Sequence, residues 1–357
     1  MKYIIQVLFI IITFNVCYGQ EYKTYTIKTE KGKKIIENKA PLWKENRIEL
    51  KFYRQIGKEE GNDENYLFNF PLSVAVDSKN NLYVFEAGNK RIQKFDKDLN
   101  YIKTIGRKGQ GPGEFIIVRS AEIQRDTLYV ESESSYKSTI SVLTLDGKEI
   151  RRINITPISS IFHVTKKGLI ISNNNSDEYN YLWRNNRILE GKMLAIYDGN
   201  GVFLKKFGDY FDYGNNDANN KNNSMQFVYD ENDYIYFYYM YDNRVEKYSP
   251  DGEFIYRTYW PFNYDIPVPY KSIEQFNTRG GGIDHKNRIW VRMVNKLLDV
   301  KKVKTEDLTF AVFDKDGILL CFVPVPRKET IKIIGDSIFF INQDDTYCIY
   351  EYKIIEK

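Results

Sequence analysis

Apolar residues come in short bursts along most of the chain, alternating with polar ones and separated by clusters of Asp, Asn, Gly and Lys. Residues 73–105, SVAVDSKNNLYVFEAGNKRIQKFDKDLNYIKTI, display the pattern in full. A strand (SVAV), a tight polar turn, a second strand (LYVF), a connection, a third strand (RIQKF), the turn DKDLN and a fourth strand follow one another. Alternation of period two, carried by β-branched and aromatic side chains and punctuated by turn-forming residues, predicts antiparallel strands rather than helices.

The unit repeats. Residues 73–105 align without a gap onto Gln226–Thr258, 153 positions later, with Asp77 on Asp230, Tyr83 on Tyr236, Arg91 on Arg244 and Phe95 on Tyr248. The strand markers Leu82 and Phe95 recur at Leu128 and Leu143, Leu169 and Tyr197, and Ile289 and Phe313, and a partial copy starts at Ile331. Turns such as LDGKE, DGNGV, SPDGE and DKDGI place Gly where a hairpin asks for positive φ. Four antiparallel strands in a unit of about 45 residues make a propeller blade. The last copy ends at Lys357 after its third strand, and residues 48–57, IELKFYRQIG, are expected to supply the fourth, with Gly57 matching Gly106. Pairing the two ends removes the open edge of the array. The expected fold is therefore an all-β, six-bladed propeller over residues 48–357, preceded by 20–47 as either an extra strand or a leader.

The stretch Phe70–Phe115, FPLSVAVDSKNNLYVFEAGNKRIQKFDKDLNYIKTIGRKGQGPGEF, resembles an NHL repeat, and the chain after its first residues resembles the secreted bacterial six-bladed propellers built from such repeats. That resemblance implies a scaffold for ligands or protein partners. Some relatives are enzymes, so the fold leaves the function open.

Composition narrows the classes. With 42% hydrophobic and 28% charged residues the chain is neither disordered nor polytopic, and a net charge of +4 does not advertise a nucleic-acid partner. The start reads as an export signal: Lys2, an apolar run from Tyr3 to Phe14, then Cys17, Tyr18 and Gly19, with cleavage expected after Gly19. The run is shorter than the roughly 20 residues a membrane span needs, so no transmembrane segment is expected in the mature chain. Lipid attachment at Cys17 is the alternative, with bulky Val16 arguing against it. The protein is thus expected to be secreted or periplasmic. Cys321 and Cys348 sit in apolar strand patterns and read as small core residues, their oxidation state left open.

Offsets between copies locate the insertions. Between the second and third strands, the third blade gains 15 residues and the fifth gains 11, and long blade-to-blade connections cover 208–224 and 259–279. In a propeller all of these fall on one face. The loops carry aromatic rings beside guanidinium groups, a combination suited to stacking on planar groups or sugars and to charge-assisted hydrogen bonds. The candidate ligand-binding residues are Tyr181, Trp183, Arg184, Arg187, Tyr210, Tyr213, Trp260, Tyr264 and Arg292, for a small-molecule, glycan, peptide or protein ligand and without a cofactor. The competing reading is that these rings pack the loops onto the scaffold.

Only two histidines are present. His285 falls in a turn and reads as solvated. His163 is expected in an innermost strand, level with Glu122 and Lys332 and with Val76, Tyr229 and Ile283 in the other blades. This column supports the runner-up reading, a metal-assisted hydrolase, lactonase or lyase in which Glu122 and His163 hold a divalent cation such as calcium or act as general base. No further Asp or Glu is expected in the ring. Glu86, Asn89 and Arg91 read as a brace, Gly109–Phe115 as a turn, and Gly280–Gly282 as a place of close packing.

Overall fold

The computed structural model describes residues 23–134, 137–155, 161–173, 182, 184–261, 278–295 and 303–357. The export signal, Tyr181, Trp183 and Tyr264 lie outside the described residues. Six sheets form a ring, each built on a blade of four antiparallel strands, and one of them is widened to six strands. Their innermost strands are Pro71–Val76, Val118–Gln124, Phe162–Val164, Met225–Tyr229, Thr278–Ile283 and Thr330–Ile334. No helix among the described residues is long and apolar enough to cross a membrane.

The ring closes as the repeat demands. Ile48–Ile56 pairs antiparallel with Ile349–Glu356 as the outer strand of the sixth blade. The apolar cores lie between neighbouring blades, because each sheet has two faces and both must be covered. Val74, Leu82 and Phe95 of the first blade pack with Phe339, Ile341 and Ile349 of the sixth, so the seam is as apolar as any other junction.

The segment before the ring forms strands. Tyr25–Glu30 and Lys33–Asn38 make a hairpin, and Lys33–Asn38 runs parallel to Phe254–Tyr259 on the outer edge of the fourth blade. Asn38, 5% exposed, holds the junction. Its Nδ2 donates to Thr258 Oγ1 (2.8 Å), Tyr259 O (3.0 Å) and Gly317 O (3.2 Å), and its Oδ1 accepts from Leu319 N (2.8 Å). The chain then crosses the fifth blade, where the N–H groups of Leu42 and Trp43 donate to Leu319 O and Leu320 O, before entering the sixth. One strap thus ties three blades.

A recurring turn explains why the inner hairpins are so alike. Asp77, Asp230 and Asp284 each accept two backbone N–H groups from the turn that follows. Their second oxygens accept from Tyr83 OH (2.9 Å), Tyr236 OH (2.8 Å) and Trp290 Nε1 (3.0 Å). Asn80, Asp233 and Asn287 occupy the left-handed position of the same turns, a conformation that Asn and Asp tolerate better than most residues.

Strand pairing corrects the level of the inner column. The turns after the innermost strands of blades two and six are one residue shorter than the others, since Ile123 pairs with Leu128 and Ile333 with Ile338, whereas Val76 pairs with Leu82. Glu122, His163 and Lys332 do share a level, but its other members are Ala75, Val228 and Gly282 rather than Val76, Tyr229 and Ile283. A Cβ on Gly282 would stand 2.6 Å from Ile333 Cγ1, so this glycine permits the approach of the fifth and sixth inner strands.

Candidate functional site: the central channel

The six innermost strands enclose a cavity of about 470 Å³. Its wall is mostly aliphatic, with Val76, Ala121, Ile161, Val228, Ile283 and Ile334 contributed by successive blades. Into this wall are set Ser73, Ser120, Thr330, Arg119, Glu122, Tyr229 and Lys332. Every second side chain of an inner strand points toward the axis, and in a six-bladed ring the gap between them is wide enough to stay open.

The carboxylate of Glu122 is fully engaged. Its Oε2 lies 3.2 Å from His163 Nδ1 and accepts Tyr229 OH at 2.7 Å, while Oε1 accepts Val164 N at 2.5 Å. On the other side of the imidazole, Nε2 lies 3.0 Å from Asp233 Oδ1, whose second oxygen accepts Lys166 N at 2.7 Å. The Tyr229 ring stacks on His163 at 3.4 Å, and His163 is 0% exposed. Burial disfavours an imidazolium, but Glu122 and Asp233 outweigh it and raise the His163 pKa above its ordinary value. Burial likewise acts against the Asp233 carboxylate, and its hydrogen bond from His163 overcomes this and lowers its pKa. Burial, reinforced by Glu122, drives the Tyr229 phenol well upward. The constellation joins blades two, three and four with a carboxylate–imidazole–carboxylate bridge.

Asp233 corrects the expectation that no further carboxylate joins the ring. It sits four residues beyond the fourth inner strand, in the turn position that Asn80 and Asn287 fill elsewhere, so a strand-by-strand alignment passes over it. The substitution of Asp for Asn in that repeated turn was the legible signal. Tyr229 belongs to the expected column, but it reaches Glu122 from two blades away, over the His163 ring. Among the described residues no group of three His, Cys, Asp or Glu side chains is arranged to hold a metal ion.

Lys332 is placed differently. It lines the cavity with its Nζ 5.9 Å from the centre of the Tyr229 ring and, among the described residues, donates no hydrogen bond. Burial pushes its pKa down, only partly offset by the charge of Glu122.

The loop residues take varied positions. Arg184 is exposed, and Arg187 forms a two-pronged pair with Glu190. Tyr210 is half-buried against the core of blades three and four. Tyr213 donates to Asp242 Oδ2 at 2.8 Å, and burial raises its phenol pKa. Trp260, expected to present its ring, is 4% exposed, with Nε1 donating to Met293 Sδ and the ring 4.9 Å from that of Phe313. The Trp260 ring packs at the junction of blades four and five, where an indole removes more apolar surface from water than it does on a loop. Arg292, also 4% exposed, donates through Nη1 to the carbonyls of Lys328 and Glu329, bracing blade five to blade six.

The repeated arginines part ways. Arg91 pairs with Glu86 at 2.7 Å and donates to Glu64 O and Leu67 O of the incoming connection. Tyr239 replaces that glutamate in blade four, and Arg244 instead lies 3.6 Å from the Tyr239 ring centre, with Phe211 and Tyr213 around it. Cys321 and Cys348 are buried free thiols, and burial pushes Cys321 up to about 12.

Residues 60–318 match a protein family described as 6-bladed beta-propeller. No curated protein matches the chain. Among solved structures, a Bacteroides fragilis protein described as exported superposes with a TM-score of 0.59 at 12% identity, covering 90% of this chain and 99% of its own. A member of the duf4221 family from Bacteroides vulgatus gives 0.53 at 13% identity, covering 88% and 100%. The PQQ-bound aldose sugar dehydrogenase of Streptomyces coelicolor gives 0.51 at 12% identity, covering 86% and 98%. At these identities the likeness is one of fold.

Proposed function

We propose that this chain, which belongs to the 6-bladed beta-propeller family, is an exported binding protein that takes a small, largely apolar molecule into its central channel without transforming it. The carrying observation is the cavity of about 470 Å³ to which all six innermost strands contribute. A mostly apolar wall with a few polar groups, at a volume within the usual 300–1,000 Å³, is how small-molecule sites are built.

Binding without turnover is supported by how the ionisable groups are spent. A general base needs a free lone pair within reach of its substrate. Both ring nitrogens of His163 face carboxylates, and the Glu122 carboxylate already accepts three hydrogen bonds. These groups brace blades. Export is supported by the apolar N-terminal run and by the description of the Bacteroides fragilis protein that shares the fold.

Calorimetric titration with 1-octanol tests the reading. Saturable binding by the wild type, weakened tenfold or more by Ser120→Trp, which fills the channel, is the expected result. Absence of saturable binding, or an affinity unchanged by that substitution, overturns it. A second reading, a glycan or protein partner on the inserted loops, draws on exposed Arg184. It predicts that Arg184→Ala weakens binding of a secreted-polysaccharide or protein panel while Ser120→Trp does not.

A further inference from the structure

Resting on the channel reading, we propose that the ligand is an amphipathic carboxylate whose head pairs with Lys332 and whose apolar body occupies the aliphatic wall. Two observations converge. Lys332 stands on the innermost strand of the sixth blade and lines the cavity, yet among the described residues its ammonium meets no hydrogen-bond acceptor. An ammonium withdrawn from bulk water needs an anionic or strongly polar partner, and a cavity is where such a partner arrives. The carboxylate nearest in the wall, Glu122, has its oxygens filled by His163, Tyr229 and the Val164 amide, so it is a screened neighbour rather than the missing acceptor.

The remaining wall restricts the rest of the molecule. Lys332 shares the cavity wall with Val228, Ile283 and Ile333, which offer contact area and no hydrogen bonds. A sugar or nucleotide, hydroxylated along its length, would leave most of its hydroxyls against the aliphatic part of the wall, beyond the few polar groups at Ser73, Ser120 and Thr330, whereas an alkyl or aryl chain would not. The other cation of the wall, Arg119, already has an interaction within the protein, and a single ammonium suits a carboxylate head better than a phosphate, which favours an arginine fork or a nest of backbone N–H groups.

Lys332 also has a purely structural reading. Glu122, protonated His163 and Asp233 together carry one excess negative charge, which an ammonium in the same wall would balance. The two roles differ in what they do to ligand preference, so the test compares octanoate with 1-octanol, which share a chain and differ in the head.

Isothermal titration of the full mature chain is expected to give octanoate at least tenfold tighter than 1-octanol. Lys332→Met, an unbranched side chain one atom shorter and without the charge, is expected to erase that preference and leave 1-octanol binding within about twofold. If neither compound binds the wild type, the channel reading itself fails. If 1-octanol binds and octanoate is no tighter, the channel reading stands and the carboxylate assignment is overturned. A Lys332→Met protein that keeps the preference also overturns it, by showing the lysine to be charge balance alone. Should that variant fail to fold, the wild-type ratio still decides, together with the ¹⁵Nζ signal of Lys332, which must shift on addition of octanoate and not of 1-octanol.

Discussion

Gln55 and Tyr350 face each other as register partners in one antiparallel sheet, although almost the whole propeller lies between them in the chain. Their pairing is what makes the array a ring, since the sixth blade owns only three strands of its own. The seam is fastened further by Arg54, which donates to Glu351 at 2.7 Å, and by the edge-to-face contact of Phe52 with Tyr352.

Removing residues 1–57 is therefore expected to unfold the ring, whereas removing residues 1–39 leaves it closed with a lower melting temperature. Size-exclusion chromatography and thermal melts by circular dichroism distinguish the outcomes. A truncation to residue 58 that stays monomeric and melts cooperatively at the full-length temperature would contradict this account of closure.

Asn38 concentrates the attachment of the N-terminal strap in one side chain. Asn38→Ala removes three donated hydrogen bonds and one accepted bond, leaving the buried carbonyls of Tyr259 and Gly317 without this donor. The expected loss is about 2–4 kcal/mol in urea unfolding. Asn38→Asp, which turns a carboxylate oxygen toward the carbonyls of Tyr259 and Gly317, should lose at least as much as Ala at neutral pH.

The buried bridge makes stability depend on pH in two directions. Because the His163 pKa is raised in the fold, its contribution is full below about 6.5, its ordinary value, and is lost as pH rises through the higher folded value. The lowered Asp233 pKa acts oppositely, contributing above 3.8 and losing that contribution as pH falls through the folded value. The groups that face the imidazole are Glu122, Asp233 and the Tyr229 ring. Melting temperature should thus decline between pH 6 and 9 more steeply in the wild type than in His163→Gln. That variant should itself lose about 3 kcal/mol or more near pH 6, because two buried carboxylates remain without their cation. Parallel slopes in the two proteins would show that His163 is neutral in the fold.

Gly282 tests the spacing of the inner strands. Gly282→Ala drives a methyl against Ile333 and is expected to cost about 1–3 kcal/mol. Ile333→Ala should recover part of that loss in the double variant, since it vacates the colliding atoms. Additive losses would mean that the contact is not the cause.

The blade repeat was readable because it is local. Alternating apolar positions, Asp-led turns and the missing last strand each lie within a few dozen residues, and Asp77, Asp230 and Asp284 perform one task at equivalent places. The candidate site was readable only in part. Glu122, His163 and Lys332 were found on one level because inner strands march in register, but the same column concealed that His163 turns into the wall while Lys332 meets the cavity. Asp233 escaped because it reaches the imidazole from a turn in the next blade, a contact 70 positions away in sequence.

What the chain itself determined is its periodicity: six units, their turns and the borrowed strand follow from backbone hydrogen bonding and from the alternation of apolar side chains. The tertiary structure decided which side chains are spent and which are free. Trp260 and Arg292 were drawn into the junctions, Glu122 and His163 into a bridge, and Lys332 was left facing the channel. Such choices depend on neighbours contributed by other blades, whose approach is set by packing around the axis rather than by any local stretch of sequence.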